Sequence, residues 1–305
     1  MSNNPSPTTP TTPPTSKAHI GRSLTVAAWV SFVCQVAIIA TGGAVRLTES
    51  GLGCPTWPTC TATSLIPTTE LSYHSIIEFG NRMMTGLLGV VALVIVILVW
   101  MRHRTRRDLF ALALTVLGGI AVQALIGGVT VITGLNPFIV GLHYLISVLL
   151  VCVAAVFLAR LRDLPGPRTL AVPPWFARLT HLASCVLFVT LVFGMLTTGA
   201  GPHSGDPNVA RNGFDATLLQ HIHSWPGYIL AGLAITLMAY SVIRKLPVAR
   251  WYLVLVLVVV VQVFVGIYQS RAGLPPLAVG VHLVLAALAA ASTTMIILRL
   301  KRPTG

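Results

Sequence analysis

Eight runs of apolar residues, each about twenty long, divide this chain. They lie at roughly 24–46, 77–100, 109–132, 140–160, 176–197, 217–242, 251–270 and 279–299. The runs are uniformly apolar and do not alternate polar with apolar, which excludes the strands of a membrane barrel. In hydrocarbon only helices and closed barrels satisfy every backbone N–H and C=O. The pattern therefore predicts an all-α integral membrane protein with eight transmembrane helices.

Composition agrees with this. Of the 305 residues, 55% are hydrophobic and 9% charged, against about 25% charged in a soluble protein. The net charge of +13 would suit nucleic acid, but the placement of the charges argues against that partner. All but four of the 20 basic residues fall in alternate connecting segments, from Lys17 and Arg22 at the start to Arg299, Lys301 and Arg302 at the end. The other four, Arg46, Arg82, Arg211 and Arg271, lie on the opposite side. The positive-inside rule then makes both termini cytoplasmic, in a multi-pass cell (plasma) membrane protein surrounded by lipid. Residues 1–22 read as a disordered cytoplasmic tail, because Met1 to Ser16 is an uncharged mixture of Pro, Thr, Ser and Asn. It lacks the basic start and short apolar stretch of a secretory signal.

This orientation puts two longer loops, about 47–76 and 198–216, on the outer side. Cys54 and Cys60 lie in the first, where disulfides persist, and a bridge is favoured there over two free thiols. Cys34, Cys152 and Cys185 fall within spans, as small apolar packing residues.

The chain also resembles itself. Gly128 to His143 matches Gly266 to His282 with one gap, and in each a Gly-Leu-x-Pro type turn precedes a helix. Thr41-Gly-Gly-Ala44 echoes Thr197-Thr-Gly-Ala200, and Glu78-Phe-Gly-Asn81-Arg82 stands opposite Gln220-His-Ile-His223-Ser224. Two pseudo-symmetric four-helix bundles follow, 23–160 and 176–305, joined by a cytoplasmic linker at 161–175. Four helices per bundle is an even number, so the axis relating the two runs along the membrane normal.

Ionisable residues inside spans are costly and mark function by default. Here Glu78 and Asn81, His143, His223 and His282 all fall near the outer starts of spans 2, 4, 6 and 8. Two histidines from different helices at one depth suit axial ligation of haem iron in a bundle interior. His223 and His282 form that pair in the second half. The corresponding positions in the first half are Asn81 and His143. Glu78 and Asn81 share a helix face. His74, His181, His203 and His221 lack repeat partners of their own type and read as solvent or interface histidines. No Cys/His cluster has zinc or copper spacing.

The stretch from Thr41 to Cys60, Thr-Gly-Gly-Ala-Val-Arg-Leu-Thr-Glu-Ser-Gly-Leu-Gly-Cys-Pro-Thr-Trp-Pro-Thr-Cys, resembles the signature of haem A synthases. Glu-x-x-Asn-Arg at 78–82, Gly-Leu-His at 141–143 and the two later histidines fit the same family. The resemblance implies an enzyme that oxidises the C8 methyl of haem O to a formyl group, making haem A for cytochrome oxidase. It implies a haem b cofactor held by His223 and His282, and a substrate haem O site near Glu78, Asn81, Arg82 and His143, with Glu78 catalytic. It also implies a cysteine pair in the first outer loop, and haem O synthase and cytochrome oxidase assembly proteins as partners, together with an electron donor that the sequence does not name. Two departures stand out: Asn81 occupies a position that is usually His in the family, and Ser224 one that is commonly Arg.

Two other classes compete. A di-haem b-type electron-transfer protein would bind both haems without oxidising a substrate. A small transporter would place its polar groups at the membrane midplane, whereas here they sit near the outer face.

Overall fold

The computed structural model describes residues 21–68, 72–163 and 165–304, so the expected tail at 1–22 falls almost wholly outside the described residues. Among the described residues eight helices run in order: α1 (Arg22–Leu47), α2 (Tyr73–Arg102), α3 (Arg107–Ile132), α4 (Pro137–Arg162), α5 (Pro174–Ala200), α6 (Ala216–Ile243), α7 (Ala249–Arg271) and α8 (Pro276–Arg299). Each is long and apolar enough to cross a membrane. Each contains the corresponding apolar run, most with an added residue or more at the ends, where polar and proline residues cap it. Ser72 accepts the Ser75 N–H before α2, and Asp215 accepts the N–H groups of Thr217 and Leu218 before α6. Asn136 does the same before α4, with Pro137 at the first helical position.

Helices α1 to α4 enclose two small clusters of buried side chains, while the largest cluster joins α5 to α8 with Ile39 of α1 and Val148, Val151, Ala155 and Ala159 of α4, so α8 lies against α1 and α4 as well. Where helices meet in lipid, small residues let their backbones approach. α8 has such a stretch, in which Ala287, Ala289, Ala290, Ala291, Ser292 and Thr293 are all buried.

The two turns that lead into α4 and α8 match residue for residue, with no gap once the comparison starts at Gly127 and Gly266 instead of Gly128 and Gly266. Gly134 and Leu135 have φ of 60° and 58°; Gly273 and Leu274 have 73° and 60°. The Leu135 N–H donates to Thr130 O at 2.7 Å and the Leu274 N–H to Gln269 O at 2.8 Å. Glycine adopts this left-handed conformation freely and leucine does so rarely, which makes the shared pattern distinctive.

The linker holds an element that the hydropathy pattern does not foresee. Strand β1 (Arg168–Leu170) pairs antiparallel with β2 (Lys301–Pro303). Asp163 accepts from both Arg168 and Arg299 beside it, tying the linker to the end of α8.

Candidate haem-binding site

His143 is the seventh residue of α4, His282 the seventh of α8 and His223 the eighth of α6, while Asn81 is the ninth of α2. At 1.5 Å per residue all four lie roughly 9–12 Å from the start of their helices. They border a single chamber of about 670 Å³ that reaches from the first four helices into the last four. Its size is that of a small-molecule or cofactor site, and Ile39, Leu187, Leu191, Leu230 and Val263 give it an apolar wall.

Across this chamber the rings of His223 and His282 stand edge-on to one another, with centroids 6.1 Å apart and planes at 72°. A metal about 2 Å from each imidazole nitrogen, with each nitrogen about 1 Å from its ring centre, sets the ring centres about 6 Å apart. The pair therefore fits two axial ligands of one haem iron. Their surroundings fit it as well. Thr190 O takes the His223 Nδ1–H at 2.9 Å, leaving Nε2 for a metal, the usual way a ligating imidazole is oriented. A Cβ on Gly194 would lie 2.8 Å from His223 Cε1, and one on Gly266 3.2 Å from His282 Cε1, so both rings rest against bare backbone.

A second pattern repeats in both halves. Gln123 on α3 donates Nε2 to the His143 carbonyl at 2.9 Å, and Gln262 on α7 donates Nε2 to the His282 carbonyl at 3.1 Å. In each case the glutamine Oε1 and the histidine Nδ1 are buried without a partner. Next in sequence, Tyr144 donates its hydroxyl to Leu283 O at 3.0 Å, joining the two histidine-bearing segments directly.

Asn81, which the sequence repeat pairs with His223, borders the same chamber. Thr41 donates its hydroxyl to Asn81 Oδ1 at 2.7 Å. Glu78 and Arg82 are placed differently, since neither lines the chamber. Glu78 is buried and accepts the Cys54 N–H at 2.6 Å and an Arg82 Nη2–H at 2.6 Å. Arg82 also donates to Cys54 O at 2.9 Å and to Thr59 O at 3.1 Å. Together the ion pair clamps the loop that the Cys54–Cys60 disulfide closes.

Three residues near the chamber have surroundings that the sequence pattern does not give, although Arg46 itself is a candidate propionate contact in the sequence. Arg46 lines it, donating Nε to His203 O at 2.5 Å and Nη2 to Thr198 O at 2.7 Å, with no carboxylate partner among the described residues. His203 in turn bonds through Nε2 to Leu274 O at 2.8 Å, so the loop between α5 and α6 is fastened to the turn before α8. His221, which read as a solvent or interface histidine, is exposed yet borders the same chamber. The sequence offered only its offset from His223, which suggested a different face.

The profile of the family described as cytochrome oxidase assembly protein matches residues 25–294, the helical body with its site. The chain belongs to this family. Among the curated relatives that the chain matches are proteins named heme A synthase. One from Listeria welshimeri is 32% identical over 133 residues, 43% of each chain. One from Lysinibacillus sphaericus is 37% identical over 127 residues, 41% of this chain and 40% of the relative. One from Oceanobacillus iheyensis is 30% identical over 190 residues, 62% and 60%. The matched segments span less than half the length of the first curated relatives.

Proposed function

We propose that this protein is a haem A synthase, a membrane oxidoreductase that converts the C8 methyl of haem O to the formyl group of haem A for cytochrome oxidase. The observation that carries the reading is the imidazole pair, 6.1 Å between ring centres, set in an apolar chamber shared with a second histidine site. The names of the relatives supply the reaction. In this reading the body consists of two pseudo-symmetric halves, and the matched turns before α4 and α8 support that.

His223 and His282 hold haem b in the second half. A haem held there would supply one-electron redox chemistry. His143 takes the substrate haem O in the first half, where Asn81 completes the wall. Arg46 offers a guanidinium to a propionate carboxylate at the outer end of the chamber, since its remaining N–H groups have no acid to pair with. Glu78 and Arg82 hold the disulfide loop against α2, and the buried Glu78 carboxylate is the acid–base group assigned to the substrate half. The apolar wall excludes water from the reacting methyl.

The cell membrane is the place of action, with both termini cytoplasmic. Haem O synthase, cytochrome oxidase assembly proteins and an electron donor are the expected partners.

Incubation of the purified full chain with haem O, followed by mass measurement of the extracted haem, tests this reading. Conversion to haem A that disappears in His143→Ala and in His282→Ala supports it. Unconverted haem O, alongside an intact low-spin haem at His223 and His282 and a working reductant, favours the electron-transfer class instead.

A further inference from the structure

The two halves differ at one position that matters for metal chemistry. The turn into α4 and the turn into α8 correspond residue for residue and deliver His143 and His282 to one chamber, each with a glutamine bound to its carbonyl. The partner of His282 across the chamber is His223, on α6. The residue of α2 that corresponds to His223 is Asn81, which also lines the chamber. A carboxamide is a poor substitute for imidazole: its nitrogen lone pair is delocalised into the carbonyl, and its oxygen is a hard donor better suited to other metals. Asn81 is also already engaged, because Thr41 donates to its Oδ1 at 2.7 Å. That bond turns the amide oxygen away from ligation and leaves its N–H donors for a neighbour in the chamber.

Resting on the reading that the first half binds haem through His143, we propose that this haem has one protein ligand only, and that Asn81 and Thr41 keep the opposite axial position open to a small exogenous molecule. Asn81 then acts as a positioning residue and hydrogen-bond donor beside that position. The two halves become chemically distinct: the second is closed on both faces by imidazole, and the first is open on one. An iron position that outside molecules can reach suits the site of substrate oxidation, and electron transfer has no need of one, so the asymmetry assigns the two roles.

The test uses the full-length protein in detergent, loaded with ferric haem b as the probe in both sites, and reads the spin state and carbon monoxide binding of the reduced form. The wild type should show one low-spin haem that ignores carbon monoxide and one high-spin haem that binds it. His143→Ala should lose the second haem and spare the first. Asn81→His should convert the second haem to low spin and abolish its carbon monoxide binding. Added imidazole should do the same to the wild type without any substitution, which covers the case of a variant that folds poorly. A second haem that depends on His143 but is already low-spin and inert to carbon monoxide overturns the open position and leaves the reading of two haem sites standing. A protein that binds only the haem held by His223 and His282 overturns both.

Discussion

At the residue scale, the site depends on small groups as much as on its histidines. Gly194 leaves room for the His223 ring, and an added methyl would stand 2.8 Å from Cε1. That atom belongs to a ring held by Thr190 O, not to a free side-chain end, so it cannot simply swing aside. Gly194→Ala should therefore displace His223 and lower the content of low-spin haem, read from the reduced absorption spectrum of the purified protein; an unchanged spectrum and haem content would contradict this packing account. Glu78 makes a second case. Its ion pair with Arg82 is largely buried and holds both backbone groups of Cys54. Removing one partner of a buried pair costs about 3–5 kcal/mol. Glu78→Gln should loosen the disulfide loop, seen as faster proteolysis between Cys54 and Cys60, with product formation falling. Full activity with an intact fold would exclude the carboxylate from the chemistry. The histidines were legible in the sequence because a titratable group in an apolar run is conspicuous. The environment of Arg46 was not, because its acceptors, Thr198 at the end of α5 and His203 in the loop after it, lie some 150 residues away in sequence.

At the element scale, apolar length alone located all eight helices, and their caps explain why most extend beyond the apolar runs. What length cannot convey is which helix is central. α8 is, because its buried alanines allow α1, α4, α5 and α7 to pack around it. Ala287 is fully buried there, a little over one turn beyond His282. Ala287→Leu should overpack this contact at a cost of about 1–3 kcal/mol, lowering the thermal midpoint in detergent and weakening haem retention. An Ala287→Leu protein with unchanged midpoint would mean that α8 is not tightly enclosed. The β1–β2 pair was invisible in the pattern for a physical reason. Three-residue strands carry no usable periodicity, and Asp163 with its two arginines reads in sequence as ordinary loop charge.

At the scale of the whole molecule, the matching turns before α4 and α8, each carrying a histidine, support two halves built on one plan. The sequence showed the repeat but aligned it with a gap, because Gly127 and Gly128 both offered a glycine to pair with Gly266. The shared backbone conformation at Leu135 and Leu274 removes that ambiguity. Charge placement predicts the orientation. Reporter fusions should place the C-terminus and the 161–175 linker in the cytoplasm and the loop with Cys54 and Cys60 outside, and an outside linker would reverse the assignment. The central claim is the oxidation of haem O. It is tested most directly by co-expressing the chain with a haem O synthase and separating the haems extracted from the membranes. The account predicts haem A with the wild type and none with His143→Ala. Haem O left unconverted by a folded wild-type protein, with its His223–His282 haem present and reducible, would contradict it.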